Sequence, residues 1–164
     1  MKTLLLVRHA KSSWGDVGLS DFDRPLNDRG KEDAPEMAKR TKDRKIKIDL
    51  FISSPAKRAK KTAKIFMEIY EKNKNNLVLI PSLYEASVRN FYSAIEILEN
   101  KYDTIALFSH NPGITEFANL MTEYKVDNMP TCGVFAVSIQ TKKWSDFKNS
   151  EKELLFFDFP KKPS

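Results

Sequence analysis

One cysteine and two histidines in 164 residues narrow the chemistry open to this chain. Cys132 has no partner for an intrachain disulfide, which suits a reducing, cytoplasmic setting. Two histidines and one cysteine make a poor zinc ligand set, and neither HExxH nor HxxEH spacing occurs, so no metal and no other cofactor is expected. No apolar run approaches the roughly 20 residues of a membrane span, so no membrane partner is expected. Met1-Lys2-Thr3 is followed by four apolar residues, without a secretory h-region or a small-residue cleavage site, and reads as folded structure rather than as an address. Repeats, low-complexity tracts and Pro/Gly-rich linkers are absent too. The expectation is one domain over 1–164, working as a monomer.

Charge is plentiful but unequal. Lys and Arg number 28 against 22 Asp and Glu, a net charge of +6 with a pI near 9.3, which favours anionic partners without choosing among phosphates, acidic proteins and nucleic acid. The basic runs KRTKDRKIK (39–47) and KRAKKTAK (57–64) read first as solvated helix faces. The aromatic patterns of single-strand binders are not visible, so nucleic acid is not the expected partner.

Short apolar runs at 3–7, 48–52, 77–80 and 104–108 alternate with helical patterns at about 28–44, 55–72, 89–99 and 112–122. That alternation is the signature of βαβ units and predicts an α/β fold: a three-layer α/β/α sandwich around a mostly parallel sheet. VFAVSI (134–139) and ELLFFDF (153–159) would add an edge pair and make the sheet mixed. In such sheets ligands gather beyond the carboxyl ends of the strands.

Three strand ends carry chemistry-bearing residues. The first apolar run ends on Arg8 and His9. In IDLFISSPAKRAKKTA, Ser54 is read as a helix N-cap and Pro55 as its first residue, so Arg58 falls in the first turn, from which it can reach back over the strand end. In TIALFSHNPGITEFANLM, His110 lies at the junction, with Asn111 read as N-cap and Pro112 as the first helical residue. Two imidazoles and two guanidiniums without obvious carboxylate partners make energetic sense chiefly around an anion. Arginine forks suit phosphoryl oxygens, and a neutral imidazole can attack phosphorus, so the cluster points to phosphoryl transfer.

LVRHAKS, SSPAKRAKKTA and SHNPG, in that order, resemble the histidine phosphatase superfamily, whose fold is that of phosphoglycerate mutase. The short length and the segment SDFDRPLNDRGKEDAP are similar to the SixA-type phosphohistidine phosphatases. The resemblance implies that His9 is the nucleophile, that Arg8, Arg58 and His110 hold the phosphoryl oxygens, and that Glu85, in IPSLYEAS, stands where a general acid is placed. A phosphoramidate needs less help from such an acid than an ester does. Lys11, Ser12 and Trp14 would shape the mouth of the site, Trp14 alternatively serving as a packing anchor. Ser109 stands where glycine often precedes the second histidine, and could narrow the pocket floor or add a hydroxyl donor. Pro35 should kink the helix that opens at Asn27.

With little room for a lid, the site would suit phosphohistidine on a signalling or phosphotransfer protein, handled without a metal. Two alternatives stand beside it. One is a phosphatase of a small phosphate monoester or nucleotide, in which Glu85 would matter more. The other is a non-catalytic basic module that binds phosphoprotein or RNA through its helix lysines.

Overall fold

The computed structural model describes residues 1–14 and 18–161. Six strands form one mixed sheet in the order β3-β2-β4-β1-β5-β6: β1 (Lys2–Arg8), β2 (Leu50–Ser53), β3 (Leu77–Leu79), β4 (Thr104–Ser109), β5 (Val134–Ile139) and β6 (Lys152–Asp158). Pairings among β1 to β4 are parallel, whereas β5 runs antiparallel to β1 and β6 antiparallel to β5. The helices are α1 (Asp28–Asp43), α2 (Lys57–Ile69), α3 (Val88–Glu96) and α4 (Gly113–Met121).

Side chains on successive strand residues point to opposite faces, and the two halves of the core follow that alternation. Leu5, Val7, Phe51, Ala106 and Phe108 pack with α1 and α2 residues such as Met37, Ala63 and Phe66. Leu4, Leu6, Ile52, Ile105 and Leu107 pack on the other face with Phe91 and Ile95 of α3 and Ile114 and Phe117 of α4. The result is the expected α/β/α sandwich. The central strands β1, β2 and β4 are almost wholly buried because both faces are covered. Among the described residues no helix is long and apolar enough to cross a membrane.

Two helix starts differ from expectation. Helix α2 begins at Lys57 rather than at Pro55, because Ala56 still holds a non-helical backbone, ψ 140°; the Ser54 hydroxyl accepts from the Ala56 N–H at 3.1 Å and is also bonded to His110 Nε2 at 2.7 Å. Helix α4 begins at Gly113; the Asn111 side chain does not cap it but takes the Thr115 hydroxyl on its oxygen and donates to the Met129 carbonyl. At α1 the reading holds: Asn27 Oδ1 accepts from the Gly30 N–H at 2.9 Å. This helix continues through Pro35 to Asp43.

Gly30 ties the fold to the site. The Lys11 carbonyl lies over the first turn of α1, accepting from Asn27 N at 3.0 Å, and a Cβ on Gly30 would stand 2.2 Å from that oxygen. Backbone cannot yield as a flexible side-chain end can, so Gly30→Ala is expected to destabilise the protein by about 1–3 kcal/mol. Its urea midpoint, measured against wild type, checks this.

Candidate active site

The register of the sheet creates the site. Strands β1 and β4 are parallel neighbours with Arg8 opposite Ser109, so the residues that follow, His9 and His110, leave the sheet side by side with ring centroids 5.1 Å apart. Beyond the same edge the Ser54 N–H donates to the Phe108 carbonyl, which brings the start of α2 alongside. The Cys132 N–H donates to the carbonyls of both Arg8 and His9 at 3.0 Å, and Thr62 of α2 accepts from Ala10 N. The turn that carries His9 is therefore held from two sides.

His9 is 6% exposed and its tautomer follows from its contacts. Nδ1 lies 2.8 Å from the Ala10 carbonyl, an acceptor only, so the ring proton sits on Nδ1 and Nε2 is unprotonated. Arg58 Nε donates to that nitrogen at 3.4 Å. Desolvation, reinforced by the positive side chains around it, pulls the pKa of His9 down to about 3, so the ring is neutral at physiological pH. His110 also falls to about 3, through burial and then the nearby Arg58. Ser54 Oγ accepts from the Ala56 N–H and lies 2.7 Å from His110 Nε2. With the hydroxyl proton directed to that nitrogen, His110 carries its hydrogen on Nδ1, a buried atom with no partner among the described residues.

Arg8 is the second buried donor of this kind. Its Nη1 bonds the Met129 carbonyl at 2.7 Å, while Nε is buried and has no partner among the described residues. Burial and the proximity of Arg58 lower its pKa from the usual arginine value. Buried unsatisfied polar groups cost about 1–3 kcal/mol each, and two of them at one strand edge call for an external acceptor.

Arg58 is not free of carboxylates, contrary to the expectation from the sequence. Asp21, in a 3₁₀ turn (Asp21–Asp23), takes Arg58 Nη2 on Oδ2 at 3.0 Å and Nη1 on its carbonyl at 2.6 Å. The same carboxylate accepts from Tyr84 Oη at 2.7 Å and from Arg24 Nη1 at 2.8 Å. Those contacts, the Tyr84 bond foremost, hold the Asp21 carboxyl down to about 2, and the reciprocal effect pushes Tyr84 up to about 12. Asp21 thus steers both Nη groups of Arg58 away from His9 and leaves Nε facing it.

A pocket of about 360 Å³ lies over these groups. Arg8, His9, Arg58, His110, Glu85, Lys11 and Ser12 all line it, so the residues expected to act on or bind the substrate reach one place. Glu85 precedes α3 in a left-handed backbone conformation, φ 55°, uncommon for a side chain of this size. The Ser12 hydroxyl accepts from Arg24 Nη2, and Lys11 is exposed at the rim. Trp14 is no packing anchor: it is 81% exposed, with the Arg24 guanidinium over its ring. Ser109 neither narrows the floor nor donates into the site, since its hydroxyl is directed to the Leu83 carbonyl at 2.6 Å on the α3 side of the sheet. Asp21, Arg24 and Tyr84 line the pocket without having been found from the sequence.

The histidine pair has a thermodynamic consequence. Both rings resist protonation when folded and accept it readily at the ordinary value near 6.5 when unfolded, so the unfolded state binds more protons below that pH. Stability is fully present above about pH 6.5 and declines as pH falls toward 3. Between about pH 7.5 and 5 the loss is on the order of 2 kcal/mol per ring. Urea midpoints across that range check it, and His110→Gln is expected to flatten the slope.

Comparison with known proteins places this geometry. The model of the histidine phosphatase superfamily (branch 1) matches residues 4–92, the segment that contains Arg8, His9, Arg58 and Glu85. The chain belongs to the histidine phosphatase superfamily. An uncharacterised chloroplastic protein of Arabidopsis thaliana is 31% identical over 160 residues, covering 88% of this chain and 70% of that protein. Among solved structures, a candidate phosphohistidine phosphatase SixA from Agrobacterium tumefaciens superposes with a TM-score of 0.80 at 26% identity, over 97% of this chain and 98% of that one. The protein histidine phosphatase SixA complexed with tungstate shares the fold, with a TM-score of 0.81 at 18% identity over 96% and 97% of the two chains. The resemblance read from the three motifs is therefore the family found, and SixA-type members are among its structural neighbours.

Proposed function

We propose that the protein is a phosphatase that works through a phosphohistidine formed on His9, and that its substrate is phosphohistidine in a signalling or phosphotransfer protein. One observation carries the mechanism: a buried neutral imidazole presents an unprotonated Nε2 to Arg58 Nε, while Arg8 Nε and His110 Nδ1 stand buried nearby without partners among the described residues.

In the first step His9 Nε2 attacks phosphorus. A P–N bond forms to His9, the P–N bond to the leaving imidazole breaks, and the leaving nitrogen takes a proton from solvent water. Arg8, Arg58 and His110 hold the oxygens, whose charge they stabilise without a metal. The Ala10 carbonyl, already bonded to Nδ1–H, supports the positive charge that His9 acquires. Water then attacks the phosphoryl group, its proton passes to solvent or to the phosphate, and inorganic phosphate leaves with the His9 lone pair restored. Lys11, Ser12 and Glu85 line the approach.

Phosphohistidine as substrate is supported by the SixA-type neighbours and by a pocket that no long lid covers among the described residues. We read residues 1–164 as one catalytic domain, monomeric and cytoplasmic, needing no cofactor. The presence of Glu85 in the pocket favours a second reading, hydrolysis of a small phosphate ester. The two separate on one variant. Glu85→Gln is expected to change phosphohistidine turnover less than about 3-fold, because a departing imidazole needs little protonation, whereas an ester substrate would lose about 10²-fold or more. Phosphate release from a phosphorylated histidine phosphotransfer domain and from p-nitrophenyl phosphate, both in EDTA, provides the assay. A large loss on the phosphoprotein, or preference for the ester, would favour the second reading.

A further inference from the structure

Beside the active site lies a second groove, of about 580 Å³, that the proposed chemistry does not use. Its floor includes Phe22, Pro25 and Pro55, and its rim carries Lys31 and the α2 lysines 57, 60, 61 and 64. The 3₁₀ turn stands between the two: Asp21 lines the site while Phe22 and Asp23 line the groove. Phe22 is held there edge-on to Tyr84, which lines the site, with ring centroids 5.1 Å apart.

The lysines are not scattered. Lys57, Lys60, Lys61 and Lys64 recur at i, i+3, i+4 and i+7, a single stripe of α2 opposite the buried stripe of Ala59, Thr62, Ala63 and Phe66. No acidic residue lies in the first turn of α2, and none of these lysines or Lys31 forms an ion pair among the described residues. Cations at the amino end of a helix oppose its dipole, and like charges at i, i+4 repel. Such an arrangement is relieved by an anionic partner lying along the stripe.

We propose that this groove docks an acidic amphipathic helix of the phosphoprotein substrate, beside the phosphorylated residue that enters the active site. The inference rests on the reading of the site as a protein phosphatase. The stripe from Lys57 to Lys64 extends about 10 Å, two turns of a partner helix, so carboxylates at i, i+3 or i+4 and i+7 match it while apolar residues between them meet Phe22, Pro25 and Pro55. Phe22 is the one aromatic residue lining the groove, which offers bases no run of stacking surfaces and favours an acidic protein over RNA.

The test compares Lys31→Glu/Lys61→Glu/Lys64→Glu with wild type on two substrates, a phosphorylated histidine phosphotransfer domain bearing an acidic helix and p-nitrophenyl phosphate. A control triple, Lys39→Glu/Lys47→Glu/Lys72→Glu, makes the same charge change in the groove at the opposite end of the strands. Expected for the first triple is a drop of about 10-fold or more in kcat/KM on the phosphoprotein, expressed in KM, with less than about 2-fold change on the ester. Added salt should weaken wild type on the phosphoprotein and leave the variant nearly unaffected. Equal activity of variant and wild type on the phosphoprotein, an equal loss in the control triple, or a parallel loss on both substrates would overturn docking. So would loss of single-stranded RNA binding with phosphoprotein turnover unchanged, which would assign the groove to RNA. If wild type hydrolyses the ester and ignores the phosphoprotein, the substrate reading itself fails, and that result is distinct from the others.

Discussion

His9→Ala is expected to lower phosphate release by at least about 10³-fold on every substrate, with the fold and thermal stability retained. Of the two neutral imidazoles in the pocket, His9 is the one whose unprotonated Nε2 faces Arg58, whereas His110 Nε2 is bonded to Ser54, and the Ala10 carbonyl and Arg58 fix the orientation of His9. Removing it leaves Arg8, Arg58 and His110 able to bind an anion, so the expected loss lies in turnover, while inorganic phosphate or tungstate still binds. Stability should even rise at acidic pH, because one buried imidazole that resists protonation has been deleted. A variant that kept more than about a tenth of wild-type turnover would remove His9 from the reaction, since no second residue occupies its place.

Arg58→Ala carries the second large effect, about 10²- to 10³-fold in kcat/KM, the range seen when one preorganised donor to a developing oxyanion is removed. The side chain does two things at once. Its Nε faces His9 Nε2, and its Nη pair is anchored on the Asp21 carboxylate and carbonyl. Alanine removes the donor and releases Asp21 toward the pocket, where a carboxylate would repel an incoming phosphoryl group. Lysine is not a conservative replacement, because one ammonium cannot satisfy both Asp21 acceptors while also facing His9. Arg58→Lys is therefore expected to recover less than about a tenth of the lost activity. Asp21→Asn should fall between wild type and Arg58→Ala, with the loss in kcat as well as KM, because it disturbs the aim of Arg58 rather than removing it. Steady-state kinetics on the phosphoprotein and on p-nitrophenyl phosphate check all three.

The parts of this site that could be read from the sequence are those attached to strong local patterns. Apolar runs that end on Arg8, on Ser53 and on Ser109 mark strand exits, and parallel pairing brings such exits together whatever the loops do. Arg58 could be placed because a helical stripe fixes which residues of α2 face inward, and its reach back to His9 follows from the lean of helical side chains. Asp21, Arg24 and Tyr84 could not. They sit in a short 3₁₀ turn and an irregular connection, and Asp21 meets Tyr84 across 63 positions, a contact that no local periodicity reports.

Two misreadings have simpler causes. Ser54 and Asn111 are good N-cap residue types, but each uses its side chain in a longer-range bond, so the helices start later than propensity alone suggests. Ser109 could have been placed by strand alternation. Phe108 faces α1 and α2, so Ser109, like Leu107, faces the other layer, and its hydroxyl bonds Leu83 there rather than entering the pocket. That leaves the neutral state of His110 dependent on burial and the nearby Arg58, with Ser109 outside the argument.

The central claim is covalent: the phosphoryl group passes through Nε2 of His9. Mixing enzyme with a stoichiometric phosphorylated histidine phosphotransfer domain, quenching in alkali within milliseconds and mapping the protein by mass spectrometry tests it directly. The account requires one phosphoryl group, acid-labile and alkali-stable, on the peptide that contains His9, appearing before inorganic phosphate and absent in His9→Ala. Single-turnover release of phosphate with no phosphorylated peptide at any time, or with the group on His110, would contradict it.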